Sequence, residues 1–564
     1  MNLSDQQNRI RDSEPSSPGR RTFVKSIAAL GAGVAALPLV TDTADAQVLS
    51  ATDESIPVGS SRAGGTVQPL QTFRGDKIDW HGFDRYDFVM DIETLAITPF
   101  KAPISEESGN VGTSDKGQLR CIVVVPKKAA PGNPWSWRGV YWNHQPQAEV
   151  ELLKRGFHIA YISVDPKPGP LTNLTMDELM EELGMSRREL TEWDAWYDYL
   201  TGQYGLSKKP ALIGMSRGGI FEYRWGTANP NKVSCIYADN PGMEREGFQR
   251  LVDLARADVP ILQVCGTLDP LLGPYTSAIE GMYQQFGGRI SMMIKEGYAH
   301  HPHSLRNPKP IADFIEKSTQ EERGPTPAFA GDRFKRTSYY SIENFYREYP
   351  DEDTYITCRG PLFSPCYDRY EFSVRDTPMS ITVISPNEAA PGMPWVYRAG
   401  FVFRDAKVDQ ALLAKGFHIV TGPVGGDVAA KDWDTVYEYL TVHGFSKKPS
   451  MEGAGGGAGE VYSWAIENPD KVSCVYAENP RMHSASAKTQ PIDNLAALAK
   501  ANVPLLHVCG SLDPYFEKNT LEVEKRYKKL GGKIEVIVKK GEGHYPLAHD
   551  DPSPVVNFVT RVAT

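Results

Sequence analysis

Ser216 lies in the run Gly214, Met215, Ser216, Arg217, Gly218, Gly219, between the apolar stretch Ala211, Leu212, Ile213 and the segment Ile220, Phe221, Glu222, Tyr223, Arg224, Trp225. Strand, tight turn, helix is the order this pattern predicts, and it is the setting of a nucleophile elbow. Gly214 and Gly218 lack side chains where a sharp turn presses strand against helix, and the serine sits at the apex with its hydroxyl exposed. The following backbone N–H and the positive end of the helix both point to where an oxyanion would develop. The competing reading is a glycine-rich turn with an incidental serine. A serine hydroxyl becomes a useful nucleophile only when a base takes its proton and a carboxylate fixes the tautomer of that base.

Two acids and three histidines compete for those roles. Asp269 follows an apolar strand in Gly266, Thr267, Leu268, Asp269, Pro270, and Asp239 ends the preceding one in Tyr237, Ala238, Asp239, Asn240, Pro241. His300, His301 and His303 cluster after the next strand. In a parallel sheet, loops at the carboxyl ends of later strands are where such groups belong. No cysteine or acidic residue stands at ligand spacing around the histidine cluster, so no metal is expected there.

The elements that must carry these residues occur twice. Phe83, Asp84, Arg85, Tyr86 recurs as Tyr367, Asp368, Arg369, Tyr370, and Gly156, Phe157, His158 recurs as Gly416, Phe417, His418. Val264, Cys265, Gly266 with Leu268, Asp269, Pro270 returns as Val508, Cys509, Gly510 with Leu512, Asp513, Pro514. The unit, about 200 to 240 residues, is far longer than a solenoid period, so each copy is expected to be a domain. Within each, short Val, Ile and Leu runs alternate with helical segments, which predicts a mostly parallel sheet covered on both faces. The register is 260 at Gly156 and Gly416 but 239 at Ser216 and Gly455, so the first copy holds about 21 more residues, most of them between Pro166 and Trp193. A lid and a plain surface insertion are the two readings of that segment.

The repeat sorts the candidates. Aligning Gly297 with Gly541 and Pro302 with Pro546 sets His300 opposite His544, His301 opposite Tyr545 and His303 opposite Leu547. Gly455 stands opposite Ser216, so the second copy keeps an acid and a histidine but no hydroxyl and is expected to be silent. The run Gly453, Ala454, Gly455, Gly456, Gly457, Ala458, Gly459 mimics a dinucleotide-binding loop, yet the repeat explains it as an elbow that lost its serine; no cofactor is expected. Trp142, Asn143 and His144 also differ between copies, facing Val402, Phe403 and Arg404. They follow the strand after which the second oxyanion donor of an elbow enzyme is supplied, so a backbone N–H near Trp142 or Asn143 is one candidate donor and the His144 or Asn143 side chain a candidate substrate contact. Arg217 is a candidate for steering a carboxylate or steadying the oxyanion. His158 and His418, present in both copies, read as structural.

The order Ser, Asp, His with a glycine elbow resembles the α/β-hydrolases, and the chain looks like a tandem of two such domains. The resemblance implies that the acid is Asp269, in the turn after the penultimate strand, with Asp239 the alternative. An arginine directly after the serine is similar to glucuronoyl esterases, whose elbow signature is longer than the one here. The expected division is a signal peptide at 1–46, an arm at 47–80, a catalytic domain at 81–317, a linker at 318–365 and a degenerate domain at 366–564.

Composition agrees with packed globular domains: 564 residues, 41% hydrophobic, with 10 Trp and 26 Tyr. A formal charge of -9 gives no reason to expect nucleic acid or an anionic membrane as partner. Arg20, Arg21, Thr22, Phe23, Val24, Lys25 form a twin-arginine signature, followed by an apolar run and by Ala44, Asp45, Ala46 as a cleavage site. Export to the periplasm or beyond is therefore expected, with an uncleaved anchor as the competing reading. Seven cysteines are too few for a disulfide scaffold, although Cys358 and Cys366 are close enough in sequence to be paired. The function these observations imply is hydrolysis of carboxylic esters through an acyl-enzyme, on a small-molecule or carbohydrate ester. A serine peptidase of the same fold and a secreted binding protein without chemistry are the alternatives. The two copies are expected to pack on one another.

Overall fold

Strands that are apolar on both faces are stable only when both faces are covered. That is the environment of the segments around the elbow, where Ala211–Met215, Cys235–Asp239 and Ile261–Gly266 are buried from end to end. The computed structural model describes residues 72–100, 117–163, 190–320, 324–349, 352–374, 379–399, 406–422, 430–483, 489–547 and 550–563, all within one unit, Val67–Thr564. The signal segment, most of the arm, nearly all of the insertion before Trp193, and Val402, Phe403 and Arg404 lie outside the described residues.

In chain order the first part runs β1 (Ile78–Trp80), β2 (Phe83–Asp91), β3 (Ile97–Pro99), β4 (Gln118–Val125), β5 (Trp135–Gly139), α1 (Gln147–Lys154), β6 (His158–Ile162), α2 (Thr191–Gln203) and β7 (Ala211–Met215). It continues with α3 (Gly218–Ala228), β8 (Cys235–Asp239), α4 (Arg245–Arg256), β9 (Ile261–Gly266), α5 (Ala278–Gln285), β10 (Ile290–Lys295) and α6 (Lys309–Gln320). Then come β11 (Phe334–Tyr340), β12 (Phe345–Glu348), β13 (Tyr355–Arg359), β14 (Cys366–Ser373), β15 (Ser380–Ser385), β16 (Trp395–Ala399), α7 (Lys407–Ala414) and β17 (His418–Thr421). The last part is α8 (Ala430–Val442), β18 (Ser450–Ala454), α9 (Gly457–Glu467), β19 (Cys474–Glu478), α10 (Ala496–Lys500), β20 (Leu505–Gly510), α11 (Glu522–Lys529), β21 (Ile534–Lys539) and α12 (Ser553–Ala563).

The fold is mixed α/β, with two sheets flanked by helices. The first has the order β1-β2-β4-β6-β5-β7-β8-β9-β10-β13-β12, with β3 paired to β2, and the second β11-β14-β15-β17-β16-β18-β19-β20-β21. Position by position, the second order repeats the first nine places of the first. From β6 to β10 all neighbours in the first sheet are parallel, whereas β4 meets β6 antiparallel. Going from β5 through α1 to β6 the chain moves to one side of β5; it then crosses back to place β7 on the other side. That reversal falls at the carboxyl ends of β5 and β7, the place where ligands bind in open α/β sheets.

The stretch read as a linker is woven into both sheets instead. β11 pairs with β14 in the second sheet, while β13 pairs antiparallel with β10 and carries β12 in the first. A bridge between Cys358 and Cys366, which the sequence left open, is not formed: Cys358 belongs to β13 and Cys366 to β14, in different sheets, and none of the seven cysteines is in a disulfide. The two sheets meet where β11 lies on the turn after α5. Ser338 N–H donates to Gly287 O at 3.1 Å and Tyr340 Oη to Gly288 O at 3.0 Å. Gly287 has φ +79°, and a Cβ there would stand 2.3 Å from Thr337 Cγ2.

This contact gives a test of how closely the halves depend on each other. Gly287→Ala should lower the midpoint of thermal unfolding by several degrees, since both the clash and the left-handed backbone act against it. Adding Thr337→Ala should recover part of the loss. An unchanged midpoint in Gly287→Ala would contradict the close approach.

Candidate active site

The elbow is built by close backbone approach. Ser216, between β7 and α3, has φ +51°, a strained value for a residue with a Cβ, and its N–H donates to Asp239 O at 2.9 Å. Strain of this kind persists only where the surroundings over-determine it, and here they do. A Cβ on Gly214 would lie 2.7 Å from Gly219 Cα, and one on Gly219 2.7 Å from Pro241 Cβ. Beneath the turn lies Glu222, fully buried on α3, which accepts from Gly139 N–H at 3.0 Å and so ties the end of β5 to the elbow. Burial pushes its carboxyl well above the usual carboxylate range, which favours the protonated form. The sequence offered one signal for Glu222 that was not read: its counterpart in the second copy is Val461.

The structure brings Ser216, Asp269 and His300 together. His300 Nε2 is 2.9 Å from Ser216 Oγ and its Nδ1 is 3.0 Å from Asp269 Oδ2, while Asp269 Oδ1 accepts from Leu271 N–H at 2.8 Å. With the carboxylate taking the Nδ1 proton, Nε2 is left to accept from the serine hydroxyl. The loops carrying acid and histidine are zipped together: Leu268 N–H donates to Tyr298 O at 2.8 Å, and Gly297 N–H to Thr267 Oγ1 at 2.8 Å. Gly266 is required by this approach, since a Cβ would fall 2.2 Å from Tyr298 O.

Asp239 takes no part in that chain. Its Oδ2 accepts from Tyr237 Oη and from Ser304 N–H, both at 2.7 Å, so it anchors the far end of the histidine loop. Burial holds its carboxyl above the usual range. Asn240 Nδ2 donates to His300 O at 2.6 Å and its Oδ1 accepts from Gly266 N–H at 3.2 Å, and the buried Lys295 Nζ donates to Pro302 O at 2.5 Å and Ser304 O at 3.0 Å. Asn479 and Lys539 repeat these bonds in the second half, where His544 Nδ1 is 2.6 Å from Asp513 Oδ2. There Gly455 (φ +53°) occupies the apex, and a Cβ on it would stand 3.5 Å from His544 Nε2.

After β5 the backbone passes through positive φ at Val140, Tyr141, Asn143 and Gln145. The buried Arg138 orders this loop by donating to Tyr141 O at 3.2 Å and His144 O at 2.7 Å, and it pairs with Glu149 of α1. Of the two side chains expected to reach substrate here, His144 and Asn143, the second is engaged elsewhere, as is the Trp142 indole beside it. Trp142 is buried against Trp80 and Tyr161, and Asn143 Oδ1 accepts from Trp80 Nε1 at 3.1 Å. Only their backbone groups are left for substrate. Arg217 lies with its guanidinium 5.8 Å from the centre of the Tyr141 ring, and no hydrogen-bond partner for its Nε or Nη2 is found among the described residues. His144 Nε2 meets His303 Nδ1 at 3.1 Å, a contact across 159 residues that spacing along the chain does not reveal. His158 is buried, with its ring 6.3 Å from that of Phe73, and burial pushes it down to about 4, in keeping with a neutral core residue.

No protein-family model matches the chain, and no curated protein does. Solved structures that superpose on part of it include an acylaminoacyl peptidase from Pyrococcus horikoshii, at 16% identity over 35% of this chain and 41% of that one, with a TM-score of 0.27. A ferulic acid esterase matches at 16% identity over 34% of this chain and 97% of its own, with a TM-score of 0.28. Est1E from Butyrivibrio proteoclasticus matches at 14% identity over 34% and 96%, with a TM-score of 0.25.

Glu222 supplies a pH test. A carboxyl raised by burial binds a proton in the folded chain that the unfolded chain releases, so its contribution to stability falls as pH rises above the ordinary carboxylate value. Gln keeps the acceptor for Gly139 N–H and does not titrate. The difference in unfolding midpoint between Glu222→Gln and wild type should therefore shift in favour of the variant from about pH 5 to about pH 8. A difference independent of pH would contradict a neutral Glu222.

Proposed function

We propose that the chain is an exported serine hydrolase that cleaves carboxylic esters, acylated carbohydrates among them, through an acyl-enzyme. The observation that carries this reading is His300, whose two ring nitrogens face Ser216 Oγ at 2.9 Å and Asp269 Oδ2 at 3.0 Å. Ser216 Oγ attacks the ester carbonyl carbon as its proton passes to His300 Nε2, and Asp269 holds the imidazolium that forms. The oxygen that gains charge is received by the N–H of Arg217 and by one from the loop after β5, at Trp142 or Asn143; one such donor is worth about 3 kcal/mol in the transition state. His300 then gives its proton to the departing alkoxide, leaving the acyl group on Ser216. Water attacks that ester by the same route and regenerates the serine. The Arg217 guanidinium, beside Tyr141, suits an anionic group on the substrate.

The second half is proposed to be a silent copy of the first. Supporting this are its matching strand order, its Asp513 and His544 pair, and the glycine where a hydroxyl is needed. The twin-arginine signature and Ala44, Asp45, Ala46 support export.

The purified chain should turn over p-nitrophenyl acetate and leave aminoacyl nitroanilides intact; the reverse preference would favour the peptidase reading. Asp269→Asn should lower kcat by about three to four powers of ten, while Asp513→Asn should leave it unchanged. Equal loss in both variants would sink the assignment of the first half as the working one.

A further inference from the structure

Three imidazoles converge beside His300 without any role in the proton path from Ser216 to Asp269. His144 comes from the loop after β5, and His301 and His303 from the loop after β10; one ligating nitrogen of each lies within 4.8 Å of those of the other two. His144 Nε2 and His303 Nδ1 are already 3.1 Å apart, close to the separation of two nitrogens on a tetrahedral ion with bonds of about 2.0 to 2.1 Å. His303 is buried. His301 is exposed and closes the cluster on its solvent side, its ring centre 4.6 Å from that of His303 and 6.0 Å from that of His144.

We propose that His144, His301 and His303 form a binding site for one divalent transition-metal ion. Three neutral imidazoles with no thiolate and no carboxylate suit borderline ions such as zinc or cobalt rather than magnesium or calcium. A fourth position is left for water or another small ligand, as in three-histidine zinc sites. A hydrogen bond between His144 and His303 would by itself account for two of the three rings, but not for the third. The internal repeat adds an independent argument. His144, His301 and His303 face Arg404, Tyr545 and Leu547 in the half that also lacks the serine, so all three ligands are missing together from two distant stretches of sequence. Residues that merely brace the histidine loop, Asn240 and Lys295, are by contrast present in both halves as Asn479 and Lys539. The ring centres of His301 and His303 lie 5.0 Å and 5.1 Å from that of His300, which sets the ion at the edge of the hydrolytic site. The proposal stands on these rings alone and holds whether or not the chain hydrolyses esters.

Titrating the untagged full-length chain with Co²⁺, followed by its visible absorption, tests this directly, with equilibrium dialysis of Zn²⁺ as a second measure. One saturable equivalent is expected in wild type and in Ser216→Ala. His301→Ala and His144→Gln should each weaken binding at least tenfold while circular dichroism shows the fold retained. Absence of saturable binding in wild type would overturn the proposal, as would full affinity in His301→Ala. Loss of binding in His300→Ala with none in His301→Ala would place the ion on a different imidazole and overturn it equally.

Discussion

The hydrogen bond between His300 Nδ1 and Asp269 is the constraint from which the rest of the first sheet follows. Asp269 is 5% exposed, and a carboxylate taken out of water must be met by donors or give up its charge. Leu271 N–H and the imidazole supply donors, and Cys265 Sγ adds a weaker one at 3.7 Å. This requirement explains why Asp513 and His544 keep the same bond in a half that has no hydroxyl to activate. Once the acid is buried, removing the imidazole would leave one carboxylate oxygen without its nitrogen donor, at a cost of about 1 to 3 kcal/mol. The serine had no such hold. Nothing in the packing needs its hydroxyl, and glycine adopts the apex φ with less strain.

Making that bond demands that two loops from neighbouring strands come within backbone contact and stay there. Gly266 lets the acid turn touch Tyr298 and Ala299, Asn240 bridges the two loops from β8, and Lys295 and Asp239 clamp the loop beyond the histidine. The elbow answers from the other side of β8 through glycines that admit no side chain. The positions of Ser216 Oγ and His300 Nε2 are thus fixed by backbone geometry rather than by the flexibility of either side chain, which is what a preorganised site requires.

Much of this was legible in the sequence because it is local or repeated. The elbow is a pattern of six consecutive residues, and aligning the copies is enough to single out His300 from His301 and His303. What the sequence could not display were contacts made across long separations. Asn143 turns to Trp80 instead of the substrate, His144 finds His303, and Glu222 reaches Gly139, none of which leaves a periodic trace. The segment between the halves misled for a different reason: edge strands such as β12 are exposed on most residues, so their apolar alternation is weak, and pairing with β13 rather than composition makes them strands. The insertion before Trp193 and the counterparts of the loop after β5 lie outside the described residues.

The central claim is that one hydroxyl, Ser216 Oγ, is made reactive by His300. Reaction of the folded chain with a fluorophosphonate, followed by digestion and mass spectrometry of the peptides, measures this at the atom concerned. The account predicts a single adduct on the peptide containing Ser216, absent after heat denaturation and absent in Ser216→Ala. An adduct on any other residue, or none on the native chain, would contradict it.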